Sequence, residues 1–278
     1  MLFASDLDQT LIYSPKSFRL LPENISLPVT SIEIYENREI SFMADVAIAK
    51  LQEVITHSFF VPVTTRTIEQ YQRISLFHNH IIPDYSVVSN GGNVMVNGMV
   101  DRHWHRQISR KISQQCLCVE DMLTSLKELC DPSWAGPMRI ADGLFYYCVV
   151  ERDKVPHSDI ENFTLWAKEQ RWNVSLQGRK LYIVPQVVNK WDAIAYVRDR
   201  LQEKVVVAAG DSLLDLCMLQ QSDYAIAPCH GELWDRYSDS LLPNVSLQFT
   251  RQSGILAASD ILDYVANLTG GQSVFNLR

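Results

Sequence analysis

At 278 residues, with 47% hydrophobic and 21% charged residues, the chain has the size and composition of one large or two ordinary globular domains. A formal charge of −7 argues against a general nucleic-acid binder, because affinity for a polyanion needs clustered Lys and Arg. No apolar run approaches the roughly 18 residues of a membrane span, and the first residues lack the basic and apolar segments of a secretory signal.

The chain opens on a short apolar run, Leu2, Phe3 and Ala4, which reads as a buried strand. It ends at Ser5, and Asp6, Asp8 and Thr10 follow at intervals of two. Alternate strand residues share a face, so both carboxylates project the same way off the strand's carboxyl end. Two acids held together are costly unless a cation sits between them or one stays protonated. A hard divalent cation, with phosphate as its other partner, would neutralise the pair. One carboxylate would then serve as nucleophile and the other as proton donor and acceptor. Taken alone, the same residues also read as an exposed acidic turn.

Residues 13–27 carry prolines and no clear period, and 30–35 with 39–43 read as a hairpin around Glu36, Asn37 and Arg38. Helical spacing of Val46, Ile48, Ala49, Leu51 and Ile55 predicts a helix over 45–56. A second buried strand, 59–63, ends in Thr64, Thr65 and Arg66. A helix over 68–77 leads to a third strand, 85–88, followed by Ser89, Asn90, Gly91 and Gly92. Strands alternating with helices predict a parallel sheet with helical crossovers, whose ligands collect beyond the carboxyl ends of the strands.

From residue 93 the pattern changes. Asn97-Gly98 marks a hairpin of 93–96 and 99–102, and a helix follows over 108–130. A second hairpin, 138–141 with 144–151, turns at Asp142-Gly143; a helix over 158–170 leads to a third, 173–177 with 180–184, turning at Gly178-Arg179. This is a two-layer α+β unit with an antiparallel sheet, predicted as an insert of residues 93–186 within a core made of 1–92 and 187–278. The first rhythm then resumes. Lys190 starts a helix over 191–202, and the strand 205–209 ends in Gly210, Asp211 and Ser212. Asp215 stands one helical turn beyond Asp211 and so on the same face. Strands at 224–227 and 245–249 and an amphipathic helix over 255–268 close the chain.

The six cysteines (Cys116, Cys118, Cys130, Cys148, Cys217, Cys229) show no CxxC pairing and read as reduced thiols of a cytoplasmic protein. The pairs His78/His80 and His103/His105 have no third ligand at zinc spacing.

Four polar clusters thus fall at the carboxyl ends of parallel strands: Asp6 with Asp8, Thr64 with Arg66, Lys190, and Asp211 with Asp215. In this order the set resembles the haloacid dehalogenase (HAD) superfamily of phosphohydrolases, with its Asp-x-Asp-x-Thr, Ser/Thr, Lys and Gly-Asp-x-x-x-Asp motifs. The resemblance implies an α/β, Rossmann-like core and a Mg²⁺-dependent phosphatase acting on a small phosphorylated metabolite, a sugar phosphate above all. It implies Asp6 as nucleophile, Asp8 as acid and base, and Thr64 and Lys190 on the phosphoryl oxygens. Asp6, the Asp8 carbonyl and Asp211 would hold the metal, and Asp215 would bind a metal-bound water or orient the ligands. Thr65, Arg66, Asn90 and Gly91 are the expected substrate-binding residues, and either Thr64 or its neighbour Thr65 meets the phosphate.

Two positions depart from the commonest family pattern: Gln9 and Thr65 stand where Gly is usual. The insert, placed after Asn90-Gly91, resembles the C2B cap of the Cof-type and sucrose-phosphatase-like branch. Such a cap would shed water and read the leaving group, with Arg139, Tyr147, Arg152, Arg179 and Lys180 as candidates. A phosphomannomutase-like phosphotransferase and a noncatalytic ligand-binding regulator on the same scaffold remain alternatives.

Overall fold

The structure, a computed structural model, describes residues 1–20, 26–238 and 246–270. The chain divides into two compact units, Met1–Met99 with Lys190–Arg278, and Val100–Asn189. The first unit begins with β1 (Leu2–Ser5), β2 (Val29–Tyr35), β3 (Arg38–Ala44), α1 (Asp45–Val54), β4 (Phe59–Pro62), α2 (Ile68–Gln72), α3 (Leu76–Asn79), β5 (Tyr85–Val88) and β6 (Asn93–Val96), and β7 (Met99–Val100) falls at the boundary. The second carries α4 (Arg102–Gln115), α5 (Val119–Leu129), β8 (Arg139–Ala141), β9 (Phe145–Val149), α6 (His157–Glu169), β10 (Trp172–Gln177) and β11 (Lys180–Pro185). The chain returns to the first unit with α7 (Lys190–Leu201), β12 (Val206–Ala209), α8 (Leu216–Gln221), β13 (Tyr224–Ala227), α9 (Glu232–Ser238), β14 (Leu247–Phe249) and α10 (Ala257–Thr269).

The opening run is apolar because β1 lies inside a sheet covered on both faces; Leu2, Phe3 and Ala4 are all fully buried. The sheet order is β14-β13-β12-β1-β4, and every pair in it is parallel. Ser5 is in register with both Ala209 and Pro62, so β1, β12 and β4 end level. The chain leaves β1 on one side toward β4 and comes back on the other through β12. That reversal opens a crevice beyond the carboxyl ends of β1 and β12. Leu51, Ile261, Leu262 and Val265 of α1 and α10 share a buried cluster with Phe3 and Phe60, each side chain contributing about 1.5–3 kcal/mol. β5 joins the β4 side through a parallel bridge between Val63 and Val87, and pairs antiparallel with β6.

The second unit has a four-stranded antiparallel sheet in the order β10-β11-β9-β8. Trp172, Leu181, Ile183 and Cys148 from one face of that sheet pack with Met122 and Leu126 of α5 and Ile160 and Ala167 of α6. Among the described residues, no helix is long and apolar enough to cross a membrane.

Several elements differ from expectation. The predicted helix over 108–130 is two helices, broken where the Leu117 N–H bonds the Gln170 carbonyl at 3.1 Å and its own carbonyl accepts Trp172 Nε1–H at 3.0 Å. Its start lies earlier, at Arg102, because the Asp101 side chain caps the N–H groups of His103 and Trp104. That cap also shortens the strand predicted over 99–102 to Met99–Val100. The predicted helix over 68–77 splits into α2 and α3 because Ile74 bridges Glu33, and the Ser75 N–H donates to the Ile32 carbonyl at 2.8 Å. The hairpin expected to open the insert pairs with β5, and Asn93–Val96 lies in the first unit. Residues 21–25 of the unpatterned 13–27 stretch, and Val245 of the strand predicted over 245–249, lie outside the described residues.

Candidate active site

Adjacent strands lie about 4.8 Å apart, so residues that follow three level strand ends come within reach of one another. Asp6 continues the ladder past β1, donating its N–H to the Ala209 carbonyl at 2.8 Å. Lys190, the first residue of α7, is 1% exposed, and its ammonium bridges two acids: Nζ lies 2.6 Å from Asp6 Oδ1 and 2.5 Å from Asp215 Oδ1. The other Asp215 oxygen, Oδ2, accepts the N–H groups of Asp211 (3.1 Å) and Ser212 (2.9 Å) and the Ser212 hydroxyl (2.8 Å). This tight turn needs its glycine: a Cβ on Gly210 would lie 2.4 Å from the Asp215 Cβ. Asp6, Asp211 and Asp215 are all buried, and each offers a carboxylate oxygen within 4.8 Å of the others.

Burial, and after it the repulsion of Asp215 and Asp8, push the Asp6 carboxyl up to about 7 against the pull of Lys190. Burial, then Asp6 and Asp215, push Asp211 well above the carboxylate range. At an effective dielectric of about 20, two such charges separated by 4.8 Å repel by about 3.5 kcal/mol. Three carboxylates face one ammonium, an excess that a divalent cation would cancel. The donor set is all oxygen, which suits a hard ion such as Mg²⁺. Since Asp215 is taken up by Lys190 and the 211–212 turn, Asp6 and Asp211 are the carboxylates with oxygens to offer a metal.

Asp8 lies outside this buried cluster. Its half-exposed carboxylate receives two parallel bonds from Arg66, Nε to Oδ2 and Nη2 to Oδ1, each 2.8 Å. Gln9 after it adopts φ 63°, the left-handed conformation that glycine takes most readily and that costs a larger residue about 1 kcal/mol. Two bonds hold it there: the Gln9 N–H donates to the Ile12 carbonyl at 2.8 Å, and the Gln9 carbonyl lies 3.0 Å from His230 Nε2. The Gly254 N–H donates to His230 Nδ1 at 3.1 Å, so the ring proton is on Nε2. Burial keeps this imidazole neutral, lowering its pKa to about 4.

Thr64 is fully buried at the end of β4, its hydroxyl oxygen accepting the Arg66 N–H at 3.1 Å, while Thr65 is half-buried. Thr65 is not among the positive-φ residues, so this loop forms without the usual glycine. The Asn90 N–H donates to the Thr64 carbonyl at 2.9 Å and the Ser89 N–H to the Arg66 carbonyl at 2.8 Å. Ser89, Asn90 and Gly91 all have positive φ, so this left-handed turn buttresses the Thr64–Arg66 loop from below. The Arg66 guanidinium, beyond Asp8, donates from Nη1 to Glu33 Oε2 at 2.6 Å and from Nη2 to the Ser41 hydroxyl at 3.1 Å.

In the second unit, Lys180 Nζ lies 5.2 Å above the Tyr147 ring, Tyr147 and Tyr182 ring centroids are 5.9 Å apart, and Arg139 is the register partner of Tyr147. Arg152 instead donates to the Gly178 carbonyl at 3.2 Å, closing the turn in which Arg179 stands exposed.

Glu33, Ser41 and His230 went unpredicted. Glu33 alternates with Ile32 and Ile34, which reads as a solvent-facing strand residue; a register shift on each side of it turns the side chain inward. His230 carries no local signal, since its partners come from residues 9 and 254.

Residues 1–232 match the sequence model of a family described as sucrose-6F-phosphate phosphohydrolase. No curated relative matches by sequence. Among solved structures, the sucrose-phosphatase of Synechocystis sp. PCC6803, in complex with sucrose and phosphate, superposes with a TM-score of 0.69 at 15% identity, covering 96% of this chain and 97% of that one. The HAD subclass IIB sugar phosphatase BT4131 gives 0.62 at 9% identity over 96% and 99% of the two chains. A Thermoplasma acidophilum protein, 0175, gives 0.59 at 11% identity over 96% and 99%. At these identities the structural matches establish a shared fold.

Proposed function

This chain belongs to the sucrose-6F-phosphate phosphohydrolase family of HAD-type phosphomonoesterases, and on that premise we propose that it hydrolyses a sugar phosphate with Mg²⁺ through an aspartyl-phosphate on Asp6. The observation that carries the reading is the Lys190 ammonium, buried between Asp6 and Asp215 beside Asp211. Nothing in a structural core calls for three buried acids around one lysine.

In the first step an Asp6 oxygen attacks phosphorus in line, and the bond from phosphorus to the sugar oxygen breaks as the new one forms. Asp8 gives the departing oxygen its proton, a role typically worth about 10² to 10⁴ in rate. In the second step water attacks the acyl phosphate, Asp8 takes its proton, and phosphate leaves with Asp6 restored. Lys190 has spent two of its ammonium protons on Asp6 and Asp215, leaving a third for a phosphoryl oxygen. Thr64 accepts from the Arg66 N–H and so keeps its hydroxyl proton to donate. Asp6, the Asp8 carbonyl and Asp211 would hold Mg²⁺, with Asp215 fixing the turn that carries Asp211; bound there, the cation offsets the charge of the carboxylates and of the phosphoryl oxygens.

The family and the sugar-phosphatase fold support a sugar as the leaving group. We read the second unit as the inserted specificity domain of the C2B type, and the Tyr147, Tyr182 and Lys180 face as suited to a polyhydroxyl group. Six free thiols support a reducing, cytoplasmic setting. The test is phosphate release from sucrose 6-phosphate and a panel of sugar phosphates and nucleotides with Mg²⁺, with the sugar product identified. Inorganic phosphate and free sugar are expected, and Asp6→Asn should be folded and inactive. Substantial turnover by that variant contradicts the nucleophile, and an isomeric sugar phosphate without phosphate release contradicts hydrolysis.

A further inference from the structure

We propose that Glu33 on β2 is a positioning residue for Asp8, acting through Arg66, so that the β2–β3 hairpin sets how well the protein expels poor, alkoxide-type leaving groups. The inference rests on the phosphatase reading above.

A general acid must meet the leaving oxygen with the right carboxylate edge, and Arg66 is placed to set that edge for Asp8. The Asp8 side chain is 52% exposed, in water where a carboxylate samples several rotamers. The two parallel bonds from Arg66 fix both its plane and its direction. Arg66 is anchored in turn. Four guanidinium N–H bonds are made, to Asp8, Glu33 and Ser41, and its backbone N–H and carbonyl are held by Thr64 and Ser89.

Glu33 is what makes the anchor rigid. Its side chain is completely buried, although it is a charged residue in a hairpin strand. Oε2 accepts from Arg66 Nη1 and from the Ser41 hydroxyl, both at 2.6 Å, and Oε1 from Arg73 Nε at 3.1 Å. A register shift on each side of Glu33 aims it inward, and the pairing of Glu33 with Ile74 holds the bulged strand in place. A surface ion pair would fluctuate and contribute little; a carboxylate held by three donors away from water does not. The connection therefore runs from the hairpin to Glu33, to Arg66, to Asp8, with no contact between Glu33 and the reacting atoms required.

This role has a signature that loss of stability lacks. Proton donation matters for an alkoxide and hardly at all for nitrophenolate, which leaves as the anion. Since kcat/KM covers events up to the first irreversible step, formation of the phosphoenzyme, it excludes the later attack of water. The experiment measures kcat/KM of the full-length wild type, Glu33→Gln and Ser41→Ala with Mg²⁺ on p-nitrophenyl phosphate and on the best sugar phosphate. For Glu33→Gln the sugar-phosphate value is expected to fall about tenfold or more beyond any fall with p-nitrophenyl phosphate. Ser41→Ala removes one bond to Glu33 and one to Arg66, and should shift the same ratio less. Equal losses on both esters, or no loss on either, overturn the proposal while leaving the phosphatase reading intact. If Glu33→Gln does not fold, the Ser41→Ala ratio decides in the same way. A wild type that turns over neither ester overturns the phosphatase reading and this proposal with it.

Discussion

At the scale of single residues, the site is a problem in charge. Asp6 and Asp211 sit where burial and then neighbouring carboxylates disfavour ionisation, and only Lys190 opposes this. In the unfolded chain an aspartate loses its proton near 4, whereas folded Asp6 without metal holds its proton to about 7. Between those values the folded state binds more protons, so these groups subtract stability as pH rises from about 4 to 7. The metal-free protein is therefore expected to lose melting temperature over that range through this site, and added Mg²⁺ should recover most at the alkaline end. Thermal melts from pH 5 to 8 with EDTA or Mg²⁺ check this; an Mg²⁺ increment that shrinks as pH rises contradicts it. His230 contributes with the opposite sign: it stays neutral down to about 4, so its share is complete above the unfolded value near 6.5 and declines as pH falls toward 4.

At the scale of elements, function resides in how three strand ends are finished. The turn from Gly210 to Asp215 is the most demanding, because it brings the Asp215 carboxylate against its own backbone N–H groups while leaving the other oxygen to Lys190. Gly210→Ala would drive a methyl group into Asp215, costing about 1–3 kcal/mol in stability. Activity is expected to fall more than tenfold at saturating Mg²⁺, because Asp215 must move away from Lys190. Urea unfolding and steady-state rates measure the two effects; a variant with unchanged rates would show the turn to be tolerant. Strand ends of this kind were legible in the sequence because an apolar run followed by acids or threonines is a local pattern. Asp6, Asp211 and Asp215 could be singled out that way; Lys190 was singled out as a helix start and by its order among the motifs, and it follows the antiparallel strand β11 rather than the end of a parallel strand, yet the structure brings all four together. The break between α4 and α5 was not legible, because its cause is the Gln170 carbonyl and the Trp172 indole, more than fifty residues along. The inward turn of Glu33 likewise depends on a bulge that simple alternation cannot reveal.

At the scale of the molecule, the sequence reads as an α/β core interrupted by an α+β unit, and the structure has a parallel sheet in one compact unit and an antiparallel sheet in the other. What residue patterns did not supply was the allegiance of β6, since a hairpin signal says which strands pair locally and not which sheet they join. The whole chain's chemistry converges on one bond, between an Asp6 oxygen and phosphorus. The most direct measurement is to quench the protein during turnover of a sugar phosphate with Mg²⁺, reduce any acyl phosphate with borohydride, and map the modified residue by peptide mass spectrometry. The account predicts homoserine at position 6 and nowhere else, absent without substrate. A modification at another residue, or steady phosphate release with position 6 untouched, would contradict it.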